Sequence, residues 1–140
     1  PVFLNRLGIK STLVGGMVAW VSRYILFAYG DGGGGIWMLI LGVILHGICY
    51  DFFFVSGQIY TDFKAGSQFK SSAQGLITLA TYGLGMLVGF RVAGKITDLY
   101  SIGSSHDWTQ IWIIPSGFAF IVLIFFILTF QDEKIKLENE

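Results

Sequence analysis

Charged residues are scarce in this sequence. They make up 13% of its 140 residues, and nine Lys and Arg balance nine Asp and Glu, so the net charge is zero. A soluble domain usually carries about a quarter charged residues, and the deficit argues against that class. Because the sequence has neither a basic excess nor a cluster of Lys and Arg, we expect no nucleic-acid partner.

Cysteine and metal-ligand patterns are scarce as well. Cys49 is the single cysteine, so no intrachain disulfide and no cysteine-based metal site can be built from this sequence. His106 and Asp107 are adjacent but lack further ligands, and we interpret them as part of a solvated loop. We expect no metal and no cofactor. Catalytic signatures such as G-x-S-x-G and H-E-x-x-H are missing too, so the sequence does not predict an enzyme.

Long apolar runs take the place of these features. Hydrophobic residues make up 54% of the chain, and its mean hydropathy is +0.67. A helix needs about 20 residues to cross a hydrocarbon core of about 30 Å. The sequence therefore predicts an all-α, polytopic membrane helical bundle with spans at about 12–29, 36–57, 74–96 and 110–130. We expect a turn at Gly8, a tight and flexible turn at 30–35, polar loops at 58–73 and 97–109, and a charged tail at 131–140. A short surface helix within 58–73 is an open alternative.

The distribution of basic residues predicts how these spans are oriented. The opening, the 58–73 loop and the tail contain Lys or Arg, whereas the 30–35 turn and the 97–109 loop contain none. By the positive-inside rule, both ends of this segment lie in the cytoplasm. The chain opens at Pro1 without the pattern of a signal peptide, and we expect it to be a segment of a longer chain.

Polar residues interrupt the second span. A carboxylate near the bilayer centre costs a few kcal/mol, so Asp51, about 22 Å along the helix axis, needs a partner or a wet cavity. Arg23 of the neighbouring first span lies roughly 16 Å from its inner end. An ion pair between Arg23 and Asp51 would offset part of both burial costs. A static packing pair and a proton site whose carboxylate titrates both fit this pattern.

Other side chains of the second span favour a ligand with a flat face and hydroxyl groups. His46 and Tyr50 are four residues apart and share a helix face, whereas Asp51 points about 100° away from Tyr50. Aromatic rings at 52–54 supply apolar contact, and a carboxylate and a phenol orient a ligand by hydrogen bonds. For any single ring, Phe54 included, packing against a neighbouring helix is the competing interpretation.

Two segments, HGICYDFFFVSGQIYTD and SSAQGLITLATYGLGMLVGFRVAG, resemble the nucleoside:proton symporter family of the major facilitator superfamily. The first-span segment RYILFAYG is also similar to that family. The opening LNRLGIK resembles the short cytoplasmic gating-loop motif of the superfamily, through Asn5, Arg6, Gly8 and Lys10. It departs from the motif at Asn5, where Asp is usual, and at Ile9, where Arg is usual.

The resemblance implies a register and a set of roles. The four spans would be helices nine to twelve of a twelve-helix transporter whose N-terminal helices are missing here, and the second and third spans would line the cavity. Tyr50 and Asp51, with His46, become candidates for nucleoside contact or proton coupling, and Phe54 for stacking on the base. Arg23 would lie on a peripheral helix, which favours a structural role for it.

The function predicted on this basis is proton-coupled nucleoside import by alternating access across a bacterial cytoplasmic membrane. Nucleoside, protons and the lipid bilayer are the expected partners. Three alternatives stay open: a carrier of the same superfamily for a sugar or an organic anion, a four-helix membrane subunit that is complete as it stands, and an intramembrane enzyme.

Overall fold

The computed structural model describes residues 2–131, with side chains from residue 8 onward, and this part of the chain is almost entirely helical. The elements in chain order are α1 (Val2–Tyr29), α2 (Ile36–Cys49), a first π segment (Tyr50–Val55), α3 (Ser56–Thr78), a second π segment (Leu79–Gly85), α4 (Met86–Leu99), the short strands β1 (Ser101–Ile102) and β2 (Ser105–His106), and α5 (Trp108–Thr129). The all-α prediction is confirmed. The side chains of Asn5 and Arg6 lie outside the described residues, as do residues 132–140 of the predicted tail at 131–140.

Within the described residues, three helices are long and apolar enough to cross a membrane: Gly8–Tyr29, Ile36–Leu99 and Trp108–Thr129. The first and the last have 22 residues each, or about 33 Å at 1.5 Å per residue, which matches a hydrocarbon core of about 30 Å. The middle one has 64 residues, far more than one crossing needs. The predicted count of four spans is not confirmed by this count of helices.

Gly66 divides the long middle helix. Its backbone, at φ 67 and ψ 171, occupies a region open essentially to glycine alone. Gln74 donates a side-chain hydrogen bond to the carbonyl oxygen of Gln58, and these two residues are each eight positions from Gly66. Tyr50 and Tyr82, each sixteen positions from Gly66, also share a hydrogen bond. The chain therefore folds back at Gly66 into an antiparallel helical hairpin.

The predicted loop at 58–73 is wrong, because this segment is helical on both sides of Gly66. Its polar composition is compatible with a helix that extends beyond the apolar core. As a helix, residues 36–65 measure about 45 Å, about half as long again as the hydrocarbon thickness. The predicted loop at 97–109 is shorter than expected, because α4 continues to Leu99. A two-stranded turn, with Gly103 at φ 61, then leads into α5.

The 30–35 turn, which we expected to be flexible, is held by one carboxylate. Asp31 Oδ1 accepts hydrogen bonds from the backbone N–H groups of Gly33 at 2.7 Å and Gly35 at 2.9 Å. The bond from Gly35, followed by the bond from Gly33, holds the pKa of the Asp31 carboxyl below its ordinary value of 3.8. Asp31 thereby satisfies two N–H groups just before α2, where a helix leaves its first donors unpaired.

Gly16 allows α1 to touch the backbone of the first π segment. A Cβ atom on Gly16 would lie 2.9 Å from the backbone nitrogen of Phe53 and 3.1 Å from the carbonyl carbon of Phe52. The neighbouring Gly15 has only a ring carbon of Phe52 nearby, at 3.7 Å. The expectation that the glycine pair permits close helix approach therefore holds at Gly16.

The packed core lies where α1, α3 and α5 meet. Ile9 and Leu13 are buried there against partly buried apolar and aromatic side chains of the first π segment, α3 and α5: Phe53, Ile59, Tyr60, Phe126 and Phe130. Gly8, just before this core, has φ 79, which confirms the predicted turn.

The side of the bundle formed by α4 is open. Phe90 of α4 is 71% exposed, and within residues 2–131 the main neighbour of α4 is the second π segment.

Candidate functional site

Two π segments face one another across the hairpin, and both contribute aromatic side chains to a common cluster. The hydroxyl groups of Tyr50 and Tyr82 are 3.1 Å apart and share a hydrogen bond. The ring of Phe54 lies 5.3 Å from that of Tyr50 and 5.9 Å from that of Tyr82, measured between centroids. We call Tyr50, Phe54 and Tyr82 the ring cluster. π-helical turns occur frequently at functional sites, and here two of them meet.

A cavity of 180 Å³ opens beside the ring cluster. Phe54, Tyr82 and Thr81 line it from the hairpin, and α1 and α5 close it with Leu13 and Phe126. A larger cavity of 240 Å³ between α1 and α5 is lined almost wholly by apolar side chains. We place the site at the ring cluster and the smaller cavity beside it, because Phe54 and the hydroxyl-bearing side chains of Thr81 and Tyr82 line that cavity.

Arg23 of α1 reaches α2 at His46, one helical turn before Tyr50. Its Nη1 atom is hydrogen-bonded to His46 Nδ1 and lies 3.8 Å from Cys49 Sγ. Cys49 Sγ donates in turn to the carbonyl oxygen of His46 at 3.2 Å. The guanidinium also lies over the rings of Tyr24 and Phe27, 5.3 Å and 5.6 Å from their centroids, which stabilises a cation away from water.

The predicted ion pair between Arg23 and Asp51 is not formed in the described part of the chain. Cys49, on the side of α2 that packs against α1, is 1% exposed, and Asp51 follows two residues later, about 200° around the helix. Residue spacing predicts the depth of the two charges, but it does not fix how each helix is rotated about its axis. Asp51 is exposed, and no described side chain bonds to its carboxylate.

A second polar contact joins the hairpin arms nearer to Gly66. The side-chain amide of Gln74 donates to Asp62 Oδ1 at 2.7 Å and to the carbonyl oxygen of Gln58 at 2.9 Å. This contact was not predicted, because a 58–73 loop would have separated these residues. It stabilises the two arms at the end opposite His46.

The other predicted site residues are distributed as follows. The ring of His46 lies 6.5 Å from that of Tyr50, on one helix face as their spacing predicts. Phe54, which the spacing places nearer to the face of Asp51, packs against Tyr50 instead. Of the gating-loop motif, Lys10 donates to the carbonyl oxygen of Ile127 at 2.8 Å.

Tyr82 was missed by the sequence reasoning. The available signal was a lone phenol within the glycine-rich third span, but nothing in the sequence showed that it faces Tyr50.

Asp107, predicted as a loop residue, accepts a hydrogen bond from the backbone N–H of Gln110 at 3.2 Å and caps α5. His106 contacts the ring of Trp108 at 5.3 Å.

Comparison with known proteins places this arrangement in a family. The sequence matches the family described as Nucleoside H+ symporter over residues 1–135. It is 33% identical to nucleoside permease NupG of Escherichia coli K12, covering 98% of this chain and 33% of that protein. It is 37% identical to xanthosine permease of the same organism, covering 97% of this chain and 34% of that protein.

The fold matches as well. The crystal structure of nucleoside transporter NupG aligns with a TM-score of 0.85 at 34% identity, over 94% of this chain and 33% of that one. A structure of an aspartate-to-alanine mutant of NupG aligns with a TM-score of 0.87 over the same shares. The chain spans about a third of the length of these relatives. On sequence and fold together, the chain belongs to the nucleoside H+ symporter family.

Proposed function

We propose that this chain is the C-terminal third of a transporter that imports nucleosides together with protons by alternating access. The observation that carries the proposal is the ring cluster, formed where two π segments meet in a chain of this family. The relatives that support it are named a nucleoside permease and a xanthosine permease. The complete protein would act in a bacterial cytoplasmic membrane.

The proposed topology has four spans, corresponding to helices nine to twelve. The fold-back at Gly66 supports it, since each arm of the hairpin is long enough for its own crossing. Lys10, Lys64 and Lys70 lie toward the Gly66 end of the bundle, which by the positive-inside rule faces the cytoplasm. Both ends of the segment would then lie on that side. The exposed apolar side chains of α4 would face lipid or the remaining helices of the protein.

The chemistry of a nucleoside fits the ring cluster. Its flat base suits stacking on Phe54, because offset aromatic contacts stabilise without requiring charge. Its ribose hydroxyls and the polar atoms of the base suit the hydroxyls of Tyr50 and Tyr82, each of which both donates and accepts. His46, one helical turn from Tyr50, adds a further polar contact.

Asp51 is the proposed proton carrier. It is a carboxylate within a membrane-capable helix, and no described residue neutralises it. Such a group is costly in hydrocarbon unless it faces water or takes up a proton. Binding of a proton would therefore neutralise the Asp51 carboxylate at the point of the transport cycle when the group loses access to water.

Uptake of radiolabelled uridine and adenosine tests the function directly. Cells expressing the complete gene are expected to accumulate both nucleosides, and a protonophore is expected to abolish accumulation because it removes the driving gradient. Accumulation that persists with the protonophore would refute proton coupling. No nucleoside uptake by a protein shown to be in the membrane would refute the substrate, and uptake of sugars or organic anions would then identify the alternative carrier.

A further inference from the structure

The hydrogen bond between Arg23 and His46 assigns the protonation of one imidazole nitrogen. A guanidinium has five N–H donors and no acceptor, so in the bond between Arg23 Nη1 and His46 Nδ1 the arginine donates and Nδ1 accepts. An accepting Nδ1 carries no proton. The imidazole of His46 is then neutral, with its single hydrogen on Nε2.

We propose that Arg23 is a positioning residue that holds His46 as the Nε2–H tautomer, so that His46 presents a fixed hydrogen-bond donor to the transported nucleoside. This inference rests on the proposed function and assigns a role to a residue outside the ring cluster. A carbonyl oxygen or an unprotonated ring nitrogen of a base is the acceptor that such a donor recognises. Asp51, on a different face of the helix, is left to carry the proton.

The surroundings of the pair support this assignment. From α1, His46 faces Arg23, whose neighbours are the rings of Tyr24 and Phe27. From its own helix, Cys49 bonds to the His46 carbonyl oxygen, and the ring of Tyr50 lies alongside. Across the hairpin, Tyr82 bonds to Tyr50. None of these groups is a carboxylate. Among the described residues, therefore, no acidic side chain competes with His46 for the guanidinium, and none would accept a hydrogen bond from a protonated Nδ1.

The second nitrogen of His46 is available for a ligand. His46 is exposed in the described part of the chain, and no described residue bonds to its Nε2 atom. Arg23, in contrast, is held from several directions, with a buried Nε atom and two aromatic rings against its guanidinium. Because Arg23 is already held rigidly, it loses little conformational freedom when it orients His46. A supporting residue improves substrate binding in this way.

The direct test is the tautomer of His46 in the complete transporter. Nitrogen-15 NMR of histidine-labelled protein distinguishes the Nε2–H, Nδ1–H and doubly protonated forms, and the His46 signal is assigned by its loss in His46→Gln. We expect the Nε2–H form in the native protein and in Arg23→Lys, because an ammonium also only donates. We expect a mixture of forms in Arg23→Met, which has no donor.

Transport kinetics give the second readout. Loss of one oriented hydrogen bond raises KM for uridine by about threefold to tenfold. Arg23→Met is expected to show that rise with little change in maximal rate. Arg23→Lys is expected to have a KM close to that of the native protein. Arg91→Met, at an exposed position of α4, is the matched control and should leave KM unchanged.

Either of two results would overturn the inference. One is a native spectrum with hydrogen on Nδ1, and the other is an Arg23→Met protein with native tautomer and native KM. If Arg23→Met does not reach the membrane, the native and Arg23→Lys spectra decide the matter alone. Failure of the proposed function is distinguishable, since it appears as absent nucleoside uptake in the native protein and leaves the tautomer measurement intact.

Discussion

Substitution of Gly16 by alanine tests whether the close approach of α1 holds the first π segment in place. The added Cβ would lie 2.9 Å from the backbone nitrogen of Phe53, a contact that requires a helix to move because no flexible side chain can give way. Overpacking of this kind costs about 1–3 kcal/mol. Alanine also favours a helix over glycine by up to about 1 kcal/mol, which offsets part of that cost.

Gly15→Ala is a control that removes the propensity term. The two glycines are adjacent in the same helix, and a Cβ on Gly15 would meet only a ring carbon of Phe52 at an ordinary 3.7 Å. Both variants gain the same helix propensity, so the difference between them isolates the backbone clash. We expect Gly16→Ala to be less stable than Gly15→Ala by about 1–3 kcal/mol.

Thermal unfolding of the complete transporter in detergent, followed by the loss of monodisperse protein, measures this difference. A KM for uridine that rises only in Gly16→Ala would connect the shift to transport, because Phe53 precedes Phe54 of the ring cluster. Equal melting temperatures for the two variants would refute the reasoning, as would a Gly15→Ala variant less stable than Gly16→Ala.

Three further predictions concern the proton, the hairpin and the α1–α2 turn. Asp51→Asn is expected to abolish proton-driven uptake while leaving membrane insertion intact, with Asp98→Asn at an exposed site as control; unchanged accumulation at every pH would remove Asp51 from coupling. Gly66→Ala is expected to lower stability by about 1–3 kcal/mol because of its positive φ, whereas Gly75→Ala, with open space around it, should not, and equal melting temperatures would contradict this. Asp31→Asn is expected to be less stable than the native protein at neutral pH, since the lowered pKa of Asp31 means that its charged form stabilises the fold. The difference in stability between the two proteins should disappear as pH falls below 3.8. A difference that grows in acid would contradict this prediction.

The sequence predicted the class of the fold through properties that single residues carry. Few charges and apolar runs of about 20 residues indicate helices in a membrane, because a helix satisfies its own backbone hydrogen bonds in hydrocarbon. Gly8 marked a turn because glycine tolerates positive φ, and the Gly15–Gly16 pair indicated close packing because it lacks side chains. The segments around His46 and Tyr50 were distinctive enough to identify the family.

The same local reasoning failed at 58–73. Polar composition there predicts a loop, but polarity reports contact with water and not the absence of a helix. The backbone reverses at Gly66 alone, and the polar helices on either side are held together by the contact between Asp62 and Gln74. Glycine at 66 was visible in the sequence, although nothing distinguished it from the many other glycines of the chain.

Pairings between helices were decided by the tertiary structure. Residue spacing gives the depth and the face of a side chain along one helix, but two helices touch according to how each is rotated about its own axis. Packing between the helices sets that rotation, for example where Gly16 meets the backbone of the first π segment. It brings Arg23 to His46 instead of Asp51, and it sets Tyr82 against Tyr50. The sequence by itself determined which chemical groups lie within the membrane, and only the fold determined which of them meet.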